Sequence, residues 1–270
     1  RHERREPGRC QPMLYYLPEP YRATITSADW LAIAPSKRPS TVEIWRGDGL
    51  DGGPIAAVLS GLRTPSINPK TGQMLQVTIW RRDMSPQEAV DVGADRSVCG
   101  DCKFRWSTAR AIKAATGKTV TKCYVVPWKL TVSWRSWAKG NVPIMSPAEA
   151  GKLVEYLDAK LRQGAYGDPA AIPLEVWRAV DLVGGTSYSH QWRNNPKMAE
   201  FAMASANNVA EAIEARAAGW RTYRVDSERL GPQPGEIACP NTADKSVTCL
   251  DCGLCSGNRS GAKSIMIEVI

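Results

Sequence analysis

"SPAEAGKLVEYLDAKLRQGAYGDPAAIPLEVWRAVDLVGGTSYSHQW", residues 146–192, reads as helix, strand, helix, strand. Ser146 stands where a helix cap belongs, Pro147 follows in the first turn, and the apolar residues after it recur at helical spacing. "GAYGDP" is a short strand running into a loop, "PLEVWRAVDLV" a second helix and "TSYSHQW" a second strand. The alternation continues downstream. "NPKMAEF" is a helical turn, "FAMASAN" a strand, "VAEAIEARAAG" a helix closed by Gly219, "WRTYRVD" a strand and "EIACP" one more short strand. Strands that alternate with helices form parallel sheets, because each crossover returns the chain to the same sheet end. The fold class expected is therefore α/β, a partial or compact (β/α) barrel with parallel strands, flanked by an irregular N-terminal region and a cysteine-rich C-terminal loop.

In such folds the chemistry gathers at the carboxyl ends of the strands. Those ends carry Gly167-Asp168-Pro169, Ser189-His190-Gln191-Trp192, Ser205 with Asn207 and Asn208, Asp226, and Cys239. Asp168, between a glycine and a proline, is the leading polar candidate; the plainer reading is an aspartate in a turn or cap. His190, one of 2 histidines in the chain, is a candidate acid, base or ligand, or else a satisfied core histidine.

Upstream, residues 1–70 are rich in Pro and Gly and read as irregular. "SADWLAIAPSKRPSTVEIWRGD" holds short strands and turns, and "GGPIAAVLSGL" a short helix. "GQMLQVTIWRRDMSP" alternates Leu75, Val77 and Ile79 with polar residues, the period of a strand. "SPQEAVDVGAD" opens a helix: Ser85 caps, Pro86 lies in the first turn and Glu88 completes a capping box. That helix delivers the chain to Cys99. The chain divides into 1–70, a barrel-like body over 71–238 with a cysteine-bearing insertion at 99–123, and a C-terminal segment over 239–270 that binds a metal or cluster.

The 270 residues are 43% hydrophobic, enough to bury a core. No apolar run approaches the roughly 20 residues of a spanning helix, so no membrane segment is expected; no secretory h-region stands near Arg1, although a processed N-terminus would have lost it. The formal charge is +8, with a basic run "RHERREPGR" at residues 1–9. This charge suits DNA or RNA as a partner; an ordinary solvated surface is the competing explanation.

The 8 cysteines fall into two groups with Cys10 apart. The chain is long enough to need no disulfide staples, and two-residue spacing favours a shared metal. "CLDCGLC", residues 249–255, sets Cys249, Cys252 and Cys255 two residues apart, and Cys239-Pro240 precedes it. Iron–sulfur clusters of the ferredoxin type use such a run with a remote cysteine before proline. A tight loop reaches three corners of a [4Fe–4S] cubane, and Gly253 and Gly257 let it close around the sulfides. Zinc is the rival, although structural zinc prefers two separated C-x2-C pairs. The second group is Cys99, Cys102 and Cys123. Three ligands leave one position open, as catalytic sites require; alternatively Cys10 or His190 closes the set. The intervening segment carries Lys103, Arg105 and Lys113, either a phosphate-binding or a solvated insertion. "WKLTVSWRSWAKG" pairs Trp128, Trp134 and Trp137 with Lys129, Arg135 and Lys139, which suits base stacking, or equally a helix that packs its indoles on the body.

Several stretches together resemble the phage-encoded gene product eighty-eight-like family: "NPKTGQMLQVTIWRRDMSPQEAVDVGADRSVCGDC", "CYV", "RQGAYGDPAAIP", "YSHQW", "FAMAS", "GWRTYRV" and "CLDCGLC". The resemblance implies a phage or prophage protein acting in the host bacterial cytoplasm and assigns it no activity. More distantly the layout is similar to radical S-adenosylmethionine barrels. That likeness implies a cluster on Cys99, Cys102 and Cys123 that binds S-adenosylmethionine, with Gly167 allowing close approach and Asp168 meeting the cofactor's amino group, and an auxiliary cluster on the C-terminal cysteines. Three functions stand as expectations: an iron–sulfur enzyme of this architecture that modifies nucleic acid, with Asp168 and His190 lining its pocket; a non-catalytic, zinc-stabilised nucleic-acid-binding protein; and an iron–sulfur redox or sensor protein without substrate. The usual C-x3-C-x2-C spacing of those enzymes is absent here.

Overall fold

The computed structural model describes residues 20–120 and 123–268. Among these residues, ten strands form two five-stranded sheets. The first holds β1 (Thr41–Asp48), β2 (Pro54–Ser60), β3 (Leu75–Arg81), β4 (Leu161–Tyr166) and β5 (Gly185–Thr186) in that spatial order. Its β1, β2 and β3 pair antiparallel, while β4 and β5 add on in parallel. The second holds β6 (Tyr188–Ser189), β7 (Met203–Ala206), β8 (Thr222–Asp226), β9 (Glu236–Ala238) and β10 (Ser264–Glu268), in the order β6, β7, β8, β10, β9. All of its pairs are parallel. The α/β class with parallel strands holds. The strands do not close into a barrel among the described residues: β1 and β9 stand at sheet edges.

The helices are α1 (Ser27–Ala32), α2 (Pro86–Asp91), α3 (Arg96–Cys99), α4 (Trp106–Thr116), α5 (Pro127–Ala138), α6 (Pro147–Tyr156), α7 (Leu174–Val180), α8 (Val209–Ala217), and the single turns α9 (Pro240–Ala243) and α10 (Cys249–Cys252). Their starts follow local chemistry. Ser85 and Glu88 close a reciprocal capping box on α2, Ser146 caps α6 and Asn208 caps α8 through the Glu211 amide.

The expectation that residues 1–70 are irregular is corrected for the described part, which supplies β1 and β2. "IAAVL" is a strand, not a helix. Ile55, Ala57 and Leu59 enter the main core, while Ala56 and Val58 pack on the other face with Trp80, Trp137 and Val142. A strand buried on both faces shows a continuous apolar run, which has no period to separate it from a buried helix. "TSYSHQW" is also not one strand. Ser187 interrupts it, its amide donating to the Cys255 carbonyl at 3.0 Å while its carbonyl accepts from Met203, so β5 and β6 belong to different sheets. The segment 239–270 is not a loop alone, since β10 inserts between β8 and β9.

Candidate metal centres

Cys99 ends α3, and its amide is tied to the Asp95 carbonyl. The Cys102 amide donates to the Cys99 carbonyl at 3.2 Å, and the Cys123 amide to the Phe104 carbonyl at 2.7 Å. The long insertion therefore returns Cys123 to the turn that holds the other two, and the three thiols feel one another electrostatically. Buried Asp95 secures the base of the insertion, accepting from Arg105, from the Ser107 amide and from the Ser107 hydroxyl. Burial pushes the Cys99 thiol up, and the Cys102 thiol up to about 12. As thiols these groups are neutral, and a bound cation would have to displace their protons.

The strand-end residues brace this turn. The Asp168 amide donates to the Val98 carbonyl at 2.6 Å. The Asp168 carboxylate, 5% exposed, accepts from the Ser189 hydroxyl at 2.7 Å, the His190 amide at 2.7 Å and the Ala170 amide at 3.0 Å. Burial raises its pKa to about 6 against the lowering effect of those donors. Gln191 donates to the Cys99 carbonyl, and its side chain occupies the space where a Cβ on Gly100 would lie.

Asp168 thus joins the ends of β4 and β6 and offers its oxygens to its own chain. Gly167 has φ +87°, and a methyl there would lie 2.8 Å from Ile79 Cβ. The glycine is explained by that fit against β3, where a ligand approach was expected. His190 meets Phe104 edge to face at 5.9 Å, and burial holds its pKa down to about 4, leaving the ring neutral. Asn207 and Asp226 are likewise engaged locally, with Glu211 and with Arg224. Cys10 lies outside the described residues.

The C-terminal four converge. Cys239, Cys249, Cys252 and Cys255 all line one cavity, whose wall includes Tyr188, Tyr223, Leu254 and Ile265, with Lys70 beside them. The two tyrosine rings lie 4.3 Å apart. Cys249 and Cys252 bracket α10, and Gly253, at φ +65°, ends that turn in the left-handed region and leads the chain on to Cys255. Burial pushes the Cys255 thiol up to about 12.

The loop is fastened from four directions. The amides of Cys249 and Leu250 donate to the carbonyls of Lys70 and Thr71. Lys160 Nζ donates to the Leu250 carbonyl at 2.7 Å. Arg221 donates to the carbonyls of Leu254, Gly257, Ala262 and Lys263 at 2.5–2.8 Å. Arg259 reaches Asp181 at 2.8 Å. Gly257 fits where a methyl would meet the Phe201 carbonyl carbon at 2.6 Å, so it serves packing against that segment and does not wrap the cavity.

Among the described residues, no three His, Cys, Asp or Glu side chains stand in a geometry that would hold a metal ion as they are. The fit to a metal lies in the donor chemistry and the shared cavity. Four soft thiol donors with an aromatic and aliphatic wall match zinc or an iron–sulfur cluster, and disfavour hard cations that need oxygen.

Two of the three clustered indoles turn inward. Trp137 Nε1 donates to Glu43 at 2.7 Å beneath Arg22, and Trp134 Nε1 to the Arg81 carbonyl at 2.8 Å. Trp128 stays exposed, next to Lys129. Sequence reading missed Lys70, Tyr188, Tyr223, Lys160 and Arg221. None of the five stands in a short-range motif that could have marked it. No described helix is long and apolar enough to cross a membrane. No family model, curated protein or solved structure matches the chain.

Proposed function

We propose that this chain is a metal–thiolate protein of the iron–sulfur class. One centre would be held by Cys239, Cys249, Cys252 and Cys255, and a second by Cys99, Cys102 and Cys123. The observation that carries the reading is the convergence of the four C-terminal cysteines on one cavity from two separate segments. The aromatic and aliphatic part of the wall, Tyr188, Tyr223, Leu254 and Ile265, favours a [4Fe–4S] cluster over a solvent-facing zinc knuckle. The second centre has three thiols and leaves one coordination position for a small molecule; S-adenosylmethionine is the cofactor that the distant resemblance nominates. Asp168 and Gly167 brace the Cys99 turn in this proposal, and no reaction is assigned to them. The phage origin and the host cytoplasm rest on the family resemblance.

Anaerobic purification with iron, sulfide and zinc analysis and an absorption spectrum tests the proposal. Iron and sulfide with a broad visible band support it; a colourless protein that holds only zinc removes the iron–sulfur assignment. A second reading, a zinc-stabilised DNA- or RNA-binding protein, is favoured by the charge of +8 and by exposed Trp128 next to Lys129. Titration against single- and double-stranded oligonucleotides tests it, and no binding at low salt would end it.

A further inference from the structure

Tyr166 closes β4, directly before the Gly167-Asp168 pair whose amide holds the Val98 carbonyl next to Cys99. The side chain is 5% exposed, and its hydroxyl has no hydrogen-bond partner among the described residues. A buried donor without an acceptor destabilises the fold, and phenylalanine would fill the same space without that cost. The phenol's electrostatic neighbours are Cys99, Asp95 and Cys123. Asp95 is already engaged by Arg105 and Ser107. A neutral thiol is a weak acceptor, whereas a metal-bound thiolate is a good one.

We propose that Tyr166 is a positioning residue of the Cys99/Cys102/Cys123 centre, its hydroxyl donating to a metal-bound cysteine sulfur. The inference rests on the reading of those three cysteines as a metal site. Its consequence is electronic. A hydrogen bond to a thiolate withdraws electron density from the sulfur, so the hydroxyl tunes the bound metal without ligating it.

Cobalt(II) is a suitable probe because its sulfur-to-metal charge-transfer band reports the thiolates directly, whatever the native metal. The full chain would be loaded with cobalt as wild type, Y166F, C102S and the double variant Y166F/C102S. Cobalt content should fall in C102S, which locates the centre. Y166F should keep the wild-type cobalt content, move the charge-transfer band to lower energy and weaken cobalt binding by about tenfold. The band shift should vanish in Y166F/C102S. Metal-free Y166F should melt no lower than metal-free wild type, since it loses only an unpaired hydroxyl.

If C102S keeps full cobalt content, the centre is wrong and this inference falls with it. A drop in C102S combined with an unshifted band in Y166F leaves the centre standing and overturns the role of Tyr166. A lower melting temperature for metal-free Y166F would also overturn it, because the hydroxyl would then have a partner within the protein.

Discussion

Arg221 is the side chain on which the geometry of the C-terminal cysteines most depends. The residue is 9% exposed, and its guanidinium donates to four backbone carbonyls within residues 254–263. Hydrogen bonds from a charged donor are worth about 1.5–3 kcal/mol each. Simple addition would exceed 6 kcal/mol, but water re-solvates the carbonyls once the segment lifts. The cost of Arg221→Ala is therefore nearer the roughly 3–5 kcal/mol seen when a buried charged interaction is broken. The loss should be local, because the carbonyls belong to one segment while the sheet pairing of β7, β8 and β10 remains. Hydrogen exchange with mass spectrometry should show the amides of Cys252, Gly253 and Gly261, which bond to the carbonyls of Thr248, Cys249 and Asn258, exchanging about a hundredfold to a few thousandfold faster. Metal bound by the C-terminal cysteines should drop in parallel. Arg221→Lys should fall in between, because an ammonium lacks the planar fork. If exchange at those amides in Arg221→Ala stays within threefold of wild type, the hub reasoning is refuted.

Single changes Cys239→Ala and Cys252→Ala should remove the same complement of metal; full content in the first with loss in the second would separate Cys239 from the centre. Gly167→Ala should cost about 3 kcal/mol, from a left-handed φ and a clash with β3, and lower Tm by roughly 6–12 °C by scanning calorimetry. Asp168 and His190 make opposite pH-dependent contributions. The Asp168 pKa is raised to about 6 from 3.8, so its contribution is full below 3.8 and is lost as pH rises through about 6. The His190 pKa is lowered to about 4 from 6.5, so its contribution is full above 6.5 and is lost as pH falls through about 4. Each spans about 3 kcal/mol, and in wild type they nearly cancel. Asp168→Asn should expose the histidine's slope, with stability that climbs from pH 4.5 to 6.5 in urea titrations; a flat profile would contradict the neutral, half-buried imidazole.

The sequence alone determined the parts whose cause is local. Ser85 with Glu88, Ser146 with Pro147, and the alternation of Leu75, Val77 and Ile79 are written in neighbouring residues, and each produced the element it predicts. The C-x2-C spacings of the two cysteine groups were legible for the same reason, since they are short-range patterns. What the tertiary structure alone decided is long-range. β2 reads as helix until sheets and helices cover both its faces. Ser187 ends one sheet and begins another because its amide bonds the Cys255 carbonyl, far along the chain. Asp168 looked like a pocket residue because a carboxylate at a strand end is chemically the same whether its donors come from a ligand or from Ser189, His190 and Ala170. Lys70, Tyr188, Tyr223 and Arg221 have no motif at all. Their place at the thiol cavity or its loop follows from chain closure, where β10 slots between β8 and β9 and carries the cysteine loop onto the ends of strands that lie elsewhere in the sequence.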